Sequence, residues 1–233
     1  SKWNSLVASV TESLDKYDAT TASREIEKFV IEDLSNWWIR RSRDKFQSGE
    51  NNQQKDLLRF ILLELAKLIA PFTPFLAEYL HEELHRGTVS GTASIHFHDW
   101  PKADKKLIDK KLEKEMDLVR DIVSLGLAAR KNSVIKVRQP LASLKVSGLD
   151  SVSGGLLNLI KEEVNVKDIE FKNLKFKESA KEELSVVLDT EITPALRAEG
   201  WVREFVRIIQ DARRDAGYNY NDSVRAYWFS EDK

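Results

Sequence analysis

Residues 33–43 read Asp33-Leu34-Ser35-Asn36-Trp37-Trp38-Ile39-Arg40-Arg41-Ser42-Arg43. Two adjacent tryptophans run straight into three arginines. At about 100° per residue, Ile26, Val30, Leu34 and Trp37 share one side of a helix, which predicts a buried stripe. Trp38 lies at the edge of that stripe. Arg40 and Arg43 point away from it, whereas Arg41 falls back on it and must leave the core at the helix end or be paired. A helix anchored by aromatic mass and ending in guanidinium groups suits gripping a phosphate backbone. The plainer alternative is a core helix with a solvated, salt-bridged end.

Helical spacing extends on both sides. Trp3, Leu6, Val7, Val10, Leu14 and Tyr17 predict a first helix over residues 2–17, and Asp18 or Thr20 can cap a second over 21–46. Ser48-Gly49 marks a turn. A third helix over 52–69 is apolar on most sides, which predicts a central position, and Pro71 ends it. Thr73-Pro74 starts a fourth that runs to Arg86 and is stopped by Gly87. Residues 88–104 read as a loop with one short extended piece. The fifth helix, over 109–131, carries Leu112, Val119, Ile122, Val123 and Gly126 on one side, so Gly126 marks close approach to a neighbour.

After Ser133 the pattern changes. Strands are predicted at 134–137, 144–146, 166–171, 184–188 and 224–229, with helices at 155–163 and 194–216. The fold class is therefore mainly α: an antiparallel helical bundle over residues 1–132, followed by a small mixed α/β domain over 133–233. The chain opens without an initiator Met and stops just after a strand-like run, as expected of a piece of a longer polypeptide.

Bulk properties exclude several classes. The 233 residues carry a net charge of −1, so no global basic field marks a nucleic-acid binder. The charge is unevenly spread: residues 101–142 hold eleven Lys/Arg against six Asp/Glu, and a local patch suffices for binding. The chain contains no cysteine, which rules out disulfides, thiolate zinc sites and a cysteine nucleophile. No stretch is long and apolar enough to span a bilayer.

His81-Glu82-Glu83-Leu84-His85 matches H-E-x-x-H, whose spacing places two imidazoles on one helix face with the Glu as base of a zinc-dependent hydrolase. Here Phe75, Leu76, Tyr79, Leu80 and Leu84 define the expected buried side, and His81 and His85 fall opposite it, on a solvated face. Lys136 and Arg138 alternate with Ile135 and Val137, which would form a phosphate-tracking strand edge beside Lys131. In the last helix Val202, Phe205, Val206 and Ile209 are expected inside. Arg203, Arg207, Gln210 and Arg214 make a stripe suited to RNA, or to local pairing with Glu199 and Asp211. No nucleotide-binding loop or catalytic constellation is visible. A helical protein-interaction domain is the remaining alternative.

Several segments resemble, in order, the anticodon-binding region of class I aminoacyl-tRNA synthetases of the isoleucine, valine, leucine and methionine group, and most specifically the isoleucyl branch. Residues 35–43 are similar to its Ser-Asn-Trp-aromatic-x-Arg-Arg-Ser-Arg signature, and Ala70-Pro71-Phe72-Thr73-Pro74-Phe75-Leu76-Ala77-Glu78 to its Ala-Pro-x-x-Pro-Phe-x-x-Glu helix break. Ser94-Ile95-His96-Phe97-His98-Asp99-Trp100-Pro101 resembles a Ser-(Ile/Val)-His-x-x-x-Trp-Pro segment. Arg130-Lys131 and residues 136–141 are similar to the junction after the bundle. Residues 188–193 and 199–217 resemble the C-terminal extension of the archaeal and eukaryotic-like type, which the absence of cysteine fits.

The resemblance implies a tRNA-binding fragment, without catalytic residues or metal, that grips the anticodon stem and loop of an isoleucine tRNA. Arg40, Arg41 and Arg43 are then candidates for the stem, Lys131, Lys136 and Arg138 for the junction, and Arg203, Arg207, Gln210 and Arg214 for the loop. It further implies a cytoplasmic, monomeric parent whose catalytic and editing domains lie elsewhere in the chain and which uses ATP and Mg.

Overall fold

The computed structural model describes residues 1–47, 52–86, 93–172, 184–219, 222–227 and 229. The chain forms two compact units, Ser1–Lys110 and Lys111–Lys233. The helix that was expected to close the bundle is thus grouped almost wholly with the second unit, in place of a division at residue 132.

The first unit holds α1 (Lys2–Asp15), α2 (Ala19–Lys28), a π-helical segment (Phe29–Ile39), α3 (Arg43–Gln47), α4 (Asn52–Ile69) and α5 (Pro74–His85). Tyr17, at φ 60°, and Asp18 turn α1 into α2. The Asp18 carboxylate accepts the Thr21 N–H at 3.0 Å and the Thr21 hydroxyl at 2.6 Å, which is the expected cap. Leu6, Val7 and Val10 pack with Ala22, Ile26, Phe29, Leu34, Leu65 and Leu68 in one core. The α4 helix contributes Leu65, Ala66 and Leu68 but leaves Leu57 and Phe60 about half exposed, so it is less central than its composition implied. The expected turn at Ser48-Gly49 and the stop at Gly87 lie outside the described residues.

The helix expected over 21–46 is continuous in direction but not in pitch. The Arg40 N–H donates to the carbonyl of Ser35, five residues back, whereas the Ser42 N–H returns to Trp38, four back, at 3.0 Å. Wider winding advances each residue by less than 100°, so the core-facing series becomes Ile26, Val30, Leu34, Trp38. Trp38, placed at the edge by α-helical phasing, joins the core and meets Phe46 edge-on at 5.7 Å. Trp37 is displaced outward and half-buried.

The α5 helix presents the opposite face from the one expected. Phe75 is 90% exposed, with Leu76 and Tyr79 also exposed, whereas His81 is 2% exposed and Ala77 fully buried. Small Ala77 packs with Ala66 and Ile95. The Glu78 carboxylate accepts the Ser94 hydroxyl at 2.8 Å and the Ile95 N–H at 3.0 Å. The His81 Nε2 meets the Ala93 carbonyl at 3.2 Å. These bonds close residues 93–98 over the helix, with a 3-10 turn at Ile95–Phe97; part of the loop expected over 88–104 with one short extended piece lies outside the described residues. Trp100 Nε1 donates to the Thr11 hydroxyl at 2.9 Å, tying the same segment to α1.

The second unit contains α6 (Lys110–Asn132), β1 (Leu141–Ser147), α7 (Gly154–Val164), β2 (Val166–Lys172), β3 (Ser185–Leu188) and α8 (Pro194–Asp215). The strand order is β2-β1-β3, with β1 parallel to β2 through α7 and antiparallel to β3. Leu144 sits between Ile169 and Leu188, and all three are buried. Val119, Ile122 and Val123 bury the expected side of α6, although Leu112 stays exposed. A Cβ on Gly126 would come within 2.8 Å of Val164, so the close approach read from the sequence is to α7.

Arg130 is 1% exposed. Its Nε donates to the Val164 carbonyl at 2.6 Å, one terminal nitrogen to Lys136 (3.0 Å) and Gln139 (2.9 Å), and the other to Asn165 (2.8 Å). Residues 133–140 are therefore wound round a guanidinium, with Val134 at φ 56°, and the strand expected at 134–137 is a pair of turns. Of the final strand expected over 224–229, residues 224–227 and 229 carry no regular structure, and 228 lies outside the described residues.

Two outcomes follow from these buried groups. Arg130→Ala orphans main-chain carbonyls and should destabilise the second unit by about 3 kcal/mol, read as faster amide exchange across β1 and β2. Burial, then the neighbouring His85 and His98, hold the His81 pKa below its ordinary 6.5, against the opposing pull of Glu78. The unfolded chain takes up this proton first, so stability falls as pH drops below about 6.5. Urea midpoints at pH 7.5 and 5.5 should differ less in His81→Gln than in the parent.

Candidate nucleic-acid interface

The arginines at 40–43 occupy the exit from the π-helical segment. Arg40 is exposed and its Nε donates back to the Asn36 carbonyl at 2.8 Å. Arg43 is exposed at the start of α3. Together with Ser35, Asn36, Ile39 and Phe46 these two arginines line an open surface recess. The Arg41 guanidinium lies 5.7 Å from the centre of the Trp37 ring, so the residue that could not be placed by phasing is held by a cation–π contact outside the core. The aromatic pair thus divides its work: Trp38 anchors, and Trp37 carries a cation.

In the second unit Lys131, in the last turn of α6, and Lys136 and Arg138, on the loop that encloses Arg130, are all exposed. Backbone turns, rather than strand alternation, carry Lys136 and Arg138. Lys136 lies 3.8 Å from Glu204, and the positive charges of Lys136 and Arg138 help hold the Glu204 carboxyl below its ordinary range, after its hydrogen bond to Arg207.

The α8 stripe is deeply engaged with carboxylates. Arg203 donates to Asn165 at 2.5 Å and to Glu199 at 2.8 Å. Arg207 bonds Glu204 at 2.8 Å and Asp211 at 2.5 Å. Arg214 lies 3.3 Å from Asp211 and 3.4 Å from Asp215, and Gln210 is exposed. The side expected to be buried is instead exposed: Val202 is 62% and Phe205 45% accessible. Leu196 and Gly200 are the buried positions. Gly200 admits Gln139, whose Nε2 donates to the Leu196 carbonyl at 2.7 Å, and a Cβ there would push the end of the Gln139 side chain aside.

Sequence reasoning overlooked Asn165, which tunes this surface. It adopts a left-handed conformation (φ 55°) that caps α7, donates to the Val137 carbonyl at 2.7 Å and accepts from Arg203. An asparagine between a helical run and a β-branched run is the signal that could have identified it.

The H-E-x-x-H histidines pack against each other and against neighbouring backbone. The His81 and His85 rings lie with centroids 4.3 Å apart, tilted by 51°, and the His85 Nδ1 meets the His81 carbonyl at 2.8 Å. Among the described residues no group of three or more His, Cys, Asp or Glu could hold a metal. Among those residues, too, no helix is long and apolar enough to cross a membrane.

Comparison with known proteins identifies the family. The anticodon-binding domain of tRNA ligase family matches residues 1–146. An isoleucine–tRNA ligase of Dehalococcoides mccartyi (strain ATCC BAA-2266 / KCTC 15142 / 195) is 37% identical across 100% of this chain and 24% of its own length. One from Clostridium tetani is 43% identical over 73% of this chain and 17% of its own length. One from Thermus thermophilus is 30% identical over 97% of this chain and 29% of its own length. The chain thus spans about a quarter of the first of these relatives. With a helical unit that leads from an aromatic anchor to clustered arginines, and a family match that covers it, the chain belongs to the anticodon-binding domain family of tRNA ligases.

Proposed function

We propose that this chain is the tRNA-binding part of an isoleucine–tRNA ligase and holds the anticodon stem and loop of an isoleucine tRNA. The observation that carries the reading is 37% identity to such a ligase along the full chain. The recess lined by Arg40 and Arg43 supplies a physical means. Planar guanidinium groups match phosphate oxygens bidentately, and contacts of this kind fix the position of an RNA without reading its sequence. Arg41, on its tryptophan, adds a third cation to the same surface. Lys131, Lys136 and Arg138 form a second basic surface for the backbone. Arg203, Arg207, Gln210 and Arg214 are reserved for the loop, and each of those arginines must exchange a carboxylate for a phosphate in order to bind.

In this reading the attachment of isoleucine, with ATP and Mg, and the hydrolysis of misacylated product belong to catalytic and editing domains elsewhere in a monomeric, cytoplasmic parent. This chain contributes position, not chemistry.

Binding of isoleucine tRNA and of a non-cognate tRNA, measured across a salt series, tests the reading. The chain should favour the cognate tRNA with salt-sensitive affinity, and the log–log salt slope should fall by about 1 for each phosphate-contacting arginine removed, hence by about 2 in Arg40→Ala/Arg43→Ala. An unchanged slope in the double variant would remove these residues from the interface. Equal affinity for both tRNAs would leave stem gripping without anticodon recognition.

A further inference from the structure

Two elements of the second unit bring cations to one carboxylate. Lys136 and Arg138 stand on the loop folded round Arg130, and both are exposed. Their backbone is fixed there, because the Lys136 and Gln139 carbonyls accept from the Arg130 guanidinium. Arg207 comes from α8. The Glu204 Oε1 accepts from a terminal nitrogen of Arg207 at 2.8 Å and lies 3.8 Å from the Lys136 Nζ. Arg138 is the third cation near enough to act on this carboxyl.

The carboxylate fits this setting badly. Guanidinium and carboxylate groups pair most strongly through two parallel bonds, and Glu204 and Arg207 make one. Among the described residues neither the other Glu204 oxygen, Oε2, nor the Arg207 Nε has a hydrogen-bond partner, and both atoms are buried. Leaving such atoms unpaired away from water is unfavourable. The second terminal nitrogen of Arg207 is taken by Asp211 at 2.5 Å, and Asp211 is shared with Arg214 at 3.3 Å. A tetrahedral phosphate carries more acceptor oxygens than a carboxylate. It can accept from the guanidinium nitrogen that Glu204 leaves unpaired and still face Lys136 and Arg138. Glu204 itself stays ionised at neutral pH: the bond to Arg207, and then the charges of Arg207, Lys136 and Arg138, hold its carboxyl below the ordinary range against the effect of burial.

We propose that Lys136, Arg138 and Arg207 form a phosphate site, and that Glu204 is its built-in occupant, displaced when an RNA phosphate arrives. The inference deepens the tRNA-binding reading above and rests on it. It gives Glu204 a role opposite to that of the cations around it, since the carboxylate holds affinity down. A site kept filled in this way binds stray polyanions poorly, and an RNA held by further contacts is the ligand that displaces the carboxylate.

Glu204→Gln tests the proposal. The amide keeps the size of the side chain and an acceptor for Arg207 but removes the charge. Glu170→Gln, which removes the same charge from the pair that β2 makes with Lys145, is the control. Two titrations are made on the 233-residue chain: inorganic phosphate, followed by NMR at the Arg207 Nε–H and the Lys136 amide, and isoleucine tRNA at fixed salt. Glu204→Gln should bind both about five-fold more tightly than the parent. Glu170→Gln should gain on neither, and Arg207→Gln added to Glu204→Gln should abolish the gain. Equal gains in Glu204→Gln and Glu170→Gln would reduce the effect to net charge and overturn the proposal. Tighter binding of inorganic phosphate without tighter binding of tRNA would overturn it in favour of a small phosphorylated ligand. If the parent binds tRNA and Glu204→Gln binds it no better, the proposal fails and the tRNA-binding reading stands. If neither protein binds tRNA, both fail together.

Discussion

A guanidinium cannot be taken out of water unless its donors are satisfied, and in the second unit that requirement organises the backbone. Arg130 is held by carbonyls from the end of α7 and from the loop after α6. The carbonyls of Val164 and Asn165 lie at a helix C-terminus, where the partial negative charge favours a cation. Burial pushes the Arg130 pKa down to about 10, still far enough above neutrality for it to remain charged. Gln139, one of its acceptors through the main chain, reaches on with its side chain to Leu196. A single buried cation thereby links α6, the loop, the α7–β2 junction and α8. The exposure of Lys136 and Arg138 is a by-product, because a loop that turns its carbonyls inward turns its side chains out.

Element positions were legible because periodicity and punctuation agree: α4 and α7 begin and end within a residue of their expected limits, and Asp18 and Gly126 do what their chemistry implies. Faces were legible only where an α-helix buried its largest apolar side. The Phe29–Ile39 segment departs from α-helical pitch, so a count at 100° per residue put Trp37 where Trp38 belongs. In α5 and α8 the bulky stripe is turned outward, and small residues (Ala77, Gly200) make the close contacts. Hydrophobicity reports that a face needs a partner, not that the partner lies within the same unit.

The same distinction applies to the family-like motifs. Glu78, Ser94, Ile95 and Trp100 are accounted for by hydrogen bonds and burial that hold residues 93–100 to α5 and α1. They preserve the shape of the first unit and need no role at a ligand. Arg40, Arg41 and Arg43 are different: they are gathered at the surface, where packing does not require three neighbouring cations. This contrast is the structural reason to separate them from the rest of the motif set.

The change of pitch before Arg40 also makes the arginine surface depend on chain length. Substitutions along residues 29–39 alter packing locally, whereas removal of one residue shifts everything beyond it by one residue's advance around the helix axis relative to the core. Arg40, Arg41 and Arg43 would then face another direction with their chemistry intact. The azimuth of the cations is encoded by a residue count, so this segment should drift in identity far more readily than in length.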